Sequence, residues 1–211
     1  MKLIVGFGNP GERLANNRQN IGFKVIDILA NNENIDVRIK KKKSIIGRGK
    51  IAKQDVVLLK PQTFVNLIGE SVLYIASFLR INVKDIICIV EDSSLPLGEL
   101  RVDYVFSDLR HPGVDSMAVA LKSDKFAKVR VGVGGCPEGV SMEDYLLQDF
   151  TFEENLLLID VLNKAEKAVR MLITHPIEEV QEKYNPEGAP KIKKRLVKAV
   201  HVDHRKLQKN S

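Results

Sequence analysis

A short apolar run, Leu3-Ile4-Val5-Gly6-Phe7, breaks at once into Gly8-Asn9-Pro10-Gly11. Turn formers directly after an apolar run mark a buried strand entering a tight turn, with glycine where the backbone approaches a ligand or takes a positive φ. The third glycine of a dinucleotide fingerprint is missing, since Asn9 and Pro10 intervene. Further apolar runs and 3.6-residue periodicity alternate along the chain. Strands are expected at 3–7, 51–59, 86–91 and 129–133, and helices at 20–30, 67–79, 114–120 and 153–175. In the first helix Ile21, Val25, Ile28 and Leu29 share one stripe, which belongs to a core. This order predicts a single-domain α/β three-layer sandwich: a twisted, mostly parallel mixed sheet, helices on both faces, and a site at the carboxyl ends of the strands.

The 211-residue chain suits one well-buried domain. The segment Asn185-Pro186-Glu187-Gly188-Ala189-Pro190 punctuates it, dividing a domain over 1–185 from a basic extension over 186–211. Cys88, inside an apolar run, and Cys136, after a glycine pair, give neither metal spacing nor a disulfide framework. No apolar stretch is long enough to span a membrane. A soluble protein of the cytoplasm or an organelle matrix is expected, with no membrane partner, no metal and no cofactor.

The net charge of +6 is concentrated in two clusters. Lys40, Lys41, Lys42 and Lys43 follow the first helix, and Lys191, Lys193, Lys194 and Arg195 open the basic extension. Clustered cations neutralise phosphates and release counterions, which points to RNA; a solvated charge run is the alternative for each cluster. His201 and His204 lie in the same extension, and neither they nor His175 form a metal pattern.

Further along, Lys60-Pro61-Gln62-Thr63-Phe64-Val65-Asn66-Leu67-Ile68-Gly69 resembles the Lys-Pro-x-Thr-Phe-Met-Asn-x-Ser-Gly block of bacterial-type peptidyl-tRNA hydrolases. Four more segments are similar to blocks of that family in the same order: the opening strand and turn, Ser94 to Arg101, Phe126 to Gly134, and Asp144 to Phe150. The resemblance covers residues 1 to 185 and implies the same α/β architecture. It also implies hydrolysis of the ester between a peptide and the 3′-terminal ribose of tRNA, with a base taking a proton from the attacking water.

The resemblance puts the family's histidine base on Gln19, which has no titratable group, and the acid that polarises it on Glu91, one methylene longer. The lid's histidine is kept as His111, but its asparagine falls on Pro112 and its glycines are gone. His111, beside Pro112, reads as a substrate- or tRNA-binding residue or as a surface loop histidine. Of the phosphate clamp for the tRNA acceptor stem, one basic residue falls on Asp103, two residues from Arg101, and the other on Arg130. Asn9 reads as a site residue or a turn former, and Asn66 as a substrate ligand or a buried cap of the helix near Leu67.

Together these departures predict a homologue whose esterase activity is lost or strongly reduced, leaning away from an enzyme and toward an RNA-binding or ribosome-associated protein. The alternative is an active hydrolase in which Glu91, or a water held by Gln19 and Asn9, replaces the histidine. A protein-interaction scaffold without RNA is the third reading.

Overall fold

The computed structural model describes residues 1–104 and 111–185. The segment expected to form the lid, up to Arg110, and the basic extension lie outside the described residues.

Seven strands form one mixed sheet in the order β2-β3-β4-β1-β5-β7-β6. The strands are β1 (Lys2–Gly6), β2 (Ile39–Lys40), β3 (Ser44–Ile51), β4 (Gln54–Pro61), β5 (Ile86–Asp92), β6 (Leu100–Asp103) and β7 (Ala127–Gly132). Strands β4, β1, β5 and β7 run parallel, while β2, β3 and β6 are antiparallel additions at the edges.

Strand alternation divides the apolar residues between two helical layers. Ile4, Ile87 and Ile89 pack under α1 (Ile21–Asn32), α5 (Phe152–Thr174) and α6 (Ile177–Tyr184). Leu3, Val5, Cys88 and Val90 pack under α2 (Ile68–Phe78) and α3 (Pro112–Leu121). Helix α4 (Met142–Leu147) is short and starts at Ser141, whose hydroxyl accepts from Asp144 N. The three-layer α/β sandwich is the expected one, and the long helices fall within a few residues of their expected spans.

The strand expected at 51–59 is instead a hairpin. Ile51 pairs with Gln54, and Ala52 and Lys53 both take positive φ. This is the geometry of a two-residue type I′ turn, usually built with Asn-Gly, and neither residue is present to announce it.

In the turn Gly11 takes the expected positive φ, 111°, while Gly6 of the opening strand serves helix packing. A Cβ at Gly6 would lie 2.3 Å from Gly22 O, and one at Gly22 would lie 2.2 Å from Phe7 N. These two glycines let β1 and α1 touch backbone to backbone, which fixes where the turn after β1 emerges.

Candidate active site

Parallel register brings the ends of β1 and β5 together. Gly6 pairs with Ile89, and Phe7 N–H donates to Ile89 O at 2.9 Å, so Asn9 and Glu91 both emerge just beyond this last rung. The chain after β1 is clasped to the start of α1: Asn20 Oδ1 accepts from Asn9 N at 2.7 Å, and Asn20 Nδ2 donates to Asn9 O at 3.1 Å. The Asn9 side-chain amide donates to Gln19 Oε1. Asn9 Oδ1 is buried and has no hydrogen-bond partner among the described residues.

Arg18 anchors the segment carrying Gln19. Its guanidinium donates to both oxygens of Glu154 at 2.8 and 2.9 Å and lies 4.4 Å from the Tyr145 ring centroid and 4.6 Å from that of Phe150. Burial raises the Glu154 carboxyl, but hydrogen bonds from Arg18 and Thr151 N outweigh it, so the pKa ends below the ordinary carboxylate value. Arg18 and Asn20 belong to the Asn17-Arg18-Gln19-Asn20 motif, but the sequence assigns neither a role. Each stands beside a recognised position, but the partners that reveal their roles are remote in the chain or belong to the backbone.

Glu91 and His111 form the central contact. Glu91 is 2% exposed and His111 6% exposed, with Nε2 3.1 Å from Glu91 Oε1. Nδ1 accepts from Gly113 N at 3.1 Å, capping α3. A backbone N–H can only donate, so the ring proton sits on Nε2 and is given to Glu91. Both ring nitrogens are thereby engaged. Glu91 Oε2 is buried and without a hydrogen-bond partner among the described residues. His111 is therefore not the expected surface loop histidine: its ring packs 5.5 Å from that of Phe7 and holds a carboxylate.

Asn66 lies exposed in the one-turn 3-10 helix Val65–Leu67. It is not a buried cap, because Leu67 holds the N-cap position of α2 without a side-chain bond. Its amide has no intramolecular partner among the described residues, and the neighbouring Phe64 and Leu67 are also exposed.

Arg130 does not face the solvent as a phosphate clamp would. It is 1% exposed, with Nε 2.7 Å from Asp92 Oδ2 and Nη1 2.7 Å from Asp103 Oδ2. Burial alone would lower its pKa; the Asp103 and Asp92 carboxylates outweigh that and raise it. Asp103 also lies 3.4 Å from Arg101 Nε. The carboxylate at 103 thus neutralises the cation with which a basic residue was expected to act. Of the two lysine clusters, Lys40 to Lys43 form a turn at the start of β3, and the second cluster, Lys191 to Arg195, lies outside the described residues. Among the described residues no group of three metal-ligating side chains occurs, and no helix is long and apolar enough to cross a membrane.

Among the described residues, Glu91 Oε2, Asn9 Oδ1 and the Asn66 amide have no intramolecular partner. A carboxylate with one oxygen held and the other free can accept a proton from water.

The family model described as peptidyl-tRNA hydrolase matches residues 3–195. A peptidyl-tRNA hydrolase from Alkaliphilus oremlandii is 39% identical over 185 residues, covering 88% of this chain and 100% of its own. One from Clostridium botulinum (strain Alaska E43) is 40% identical, covering 88% and 96%. Among solved structures, the peptidyl-tRNA hydrolase of Acinetobacter baumannii superimposes with a TM-score of 0.82 at 27% identity, over 88% of this chain and 94% of that one. The expectation that leaned away from an enzyme is overturned by these relatives, which carry an enzyme's name and match almost end to end. Changes at a few positions, Gln19 and Pro112 among them, say less about activity than similarity spread over 185 residues.

Proposed function

Since the chain belongs to the peptidyl-tRNA hydrolase family, we propose that it hydrolyses the ester joining a peptide to the terminal ribose of a tRNA, with Glu91 as the general base. The observation that carries this reading is the asymmetry of Glu91: Oε1 is held by His111, while Oε2 is buried and has no partner among the described residues. Water donates one proton toward Glu91 Oε2 as its oxygen attacks the ester carbonyl carbon. The tetrahedral intermediate then collapses, the bond to the ribose oxygen breaks, and the proton on Glu91 passes to that oxygen. The products are a peptide carboxylate, whose remaining proton is released to solvent, and a tRNA with its terminal hydroxyl restored.

The other residues orient. Asn9 Oδ1 is a second acceptor for a water, and Gln19, by accepting from the Asn9 amide nitrogen, fixes which end of that amide is left without a partner among the described residues. Asn66 presents an open amide to the substrate, beside the exposed Phe64 and Leu67 that suit a peptide's apolar side chains. A tRNA-linked substrate implies a compartment where translation runs, the cytoplasm or an organelle matrix.

Release of N-acetyl-amino acid from an N-acetylated aminoacyl-tRNA by purified protein tests the reading. Turnover is expected in the wild type and loss of it in Glu91→Gln, which keeps an acceptor for His111 but cannot take a proton. Equal turnover in the two proteins removes Glu91 from the role of base, and no turnover in either removes the hydrolase reading.

A further inference from the structure

We infer that the lysine turn before β3, together with Tyr74 and Phe78 of α2, forms a docking surface for the phosphate backbone of the tRNA substrate. The inference rests on the proposed function for the identity of the RNA, while the surface itself follows from local geometry.

Lys41 N–H donates to Ser44 O at 2.8 Å and Ser44 N–H to Lys41 O at 3.0 Å, closing a two-residue turn. Its central residues, Lys42 and Lys43, have φ of 41° and 54°. A turn of this hand favours Asn-Gly, so two lysines are displayed here against backbone preference. Such locally unfavourable geometry collects at sites of function.

Two aromatic side chains order these cations. Tyr74 and Phe78, one helical turn apart on the exposed face of α2, have ring centroids 6.2 Å apart and planes within 5° of parallel. Lys41 Nζ lies 3.7 Å from the Phe78 centroid, and Lys42 Nζ lies 5.7 Å from that of Tyr74. A ring orients an ammonium without cancelling its charge, as a carboxylate would. Only Lys43 has an acidic neighbour within ion-pair distance among the described residues, Glu70 at 3.6 Å on the surface. Lys41 and Lys42 therefore present positive charge held in place beside Lys40, and Phe78 remains 54% exposed.

The turn also lies at the correct end of the sheet. Ser44 pairs with Pro61, the last residue of β4, and Gln62 N–H donates to Lys43 O at 2.7 Å. Strand β4 runs parallel to β1, so the lysines sit on the same edge as Asn9 and just before the segment that carries Asn66. Because Asp92 and Asp103 occupy Arg130, phosphate recognition falls to exposed cations, and charge complementarity selects a polyanion for this face.

The test is binding of deacylated tRNA across a salt series, compared for wild type, Lys41→Gln/Lys42→Gln/Lys43→Gln and Tyr74→Ala/Phe78→Ala. The lysine variant should bind at least about tenfold more weakly near 0.1 M salt, with the log–log slope shallower by about 2–3. The aromatic variant should bind several-fold more weakly with the slope retained, since no charge is removed. Lys41→Gln alone, outside the two strained positions, should reduce the slope by about one and guards against misfolding of the triple variant. Unchanged affinity and slope in both lysine variants overturns the inference. A lysine-dependent slope in a protein that releases no peptide leaves the docking surface standing and removes only the hydrolase reading; turnover whose KM ignores the lysines does the reverse.

Discussion

Glu91 and Asp92 are consecutive carboxylates at the end of one strand, and their surroundings divide them completely. Asp92 has both oxygens engaged: Oδ1 accepts from Ser94 N at 2.8 Å and Ser94 Oγ at 2.6 Å, and Oδ2 meets Arg130. Glu91 has one oxygen on His111 and the other on nothing among the described residues. Neighbours on a strand leave it on opposite faces, so one residue step separates a saturated ion cluster from a carboxylate with proton-accepting capacity in reserve. A buried acceptor without a partner costs free energy, and a fold that keeps one where an attacking water is needed has the means for chemistry there. The sharpest way to break this comparison is Glu91→Gln. It should lower kcat by about 10²–10⁴, the usual contribution of a general base, while the unfolding midpoint stays near that of the wild type because the His111 bond is kept. Single-turnover release of the acylated amino acid measures it.

Changing Arg130 should produce the complementary result. Arg130→Met leaves Asp92 and Asp103 buried without their cation, and removing one partner of such a pair costs about 3–5 kcal/mol. Urea unfolding should show that loss. Turnover per folded molecule should change far less than in Glu91→Gln, since Arg130 touches no reacting atom in the proposed mechanism. A variant that unfolds normally but fails to turn over would place Arg130 on the functional side of the comparison after all.

The same division sets what the sequence could reveal. Apolar runs and 3.6-residue periods located β1, β5, β7 and the long helices, because burial on two faces leaves a one-dimensional trace. Strand β3 left none: Gly47, Arg48 and Gly49 interrupt its alternation, and the Ala52-Lys53 turn lacks glycine. Short α4 and α6 carry too few periods to register. At the site, Asn9, Gln19 and Glu91 were legible as positions in a motif. Their state was not, because it depends on partners from other elements. The contact that holds Glu91 comes from twenty residues away, and Arg130 is neutralised by one residue from β5 and one from β6. Sequence shows which charge a residue carries but not which neighbours have already claimed it.

Lys128 extends the saturated side of the comparison and gives it a pH signature. Fully buried on β7, it donates to Tyr104 O at 2.7 Å, Asp124 O at 2.7 Å and Phe126 O at 3.0 Å. Burial pushes its ammonium down to about 8 from an ordinary 10.5, against the opposing pull of Cys88, Asp124 and Asp103. Between those two values the unfolded chain binds more protons than the folded one, so this group's contribution to stability rises with pH across that window. The unfolding free energy of wild type relative to Lys128→Met should shift in favour of wild type between pH 8 and pH 10, by on the order of 1–3 kcal/mol. A pH-independent difference would mean that the three carbonyls hold the proton as firmly as water does.

His111→Asn makes the finest cut, because it separates two jobs of one ring. Asparagine is among the best N-cap residues, so it can still accept from Gly113 N and preserve the start of α3. It is too short to replace Nε2 at 3.1 Å from Glu91. The variant should therefore fold normally, with an unfolding midpoint within a few degrees of the wild type, while Glu91 loses the bond that fixes which oxygen faces the water. A hydrogen bond to a charged group contributes about 1.5–3 kcal/mol, which sets the expected fall in kcat at roughly ten- to a hundredfold, with KM little changed. Glutamine at the same position spans more of the gap to Glu91 and should recover part of the loss, as expected of a positioning residue. If asparagine and glutamine are equally impaired and as inactive as Glu91→Gln, the imidazole itself handles the proton and the order of the pair is reversed: His111 becomes the base, and Glu91 the group that orients it.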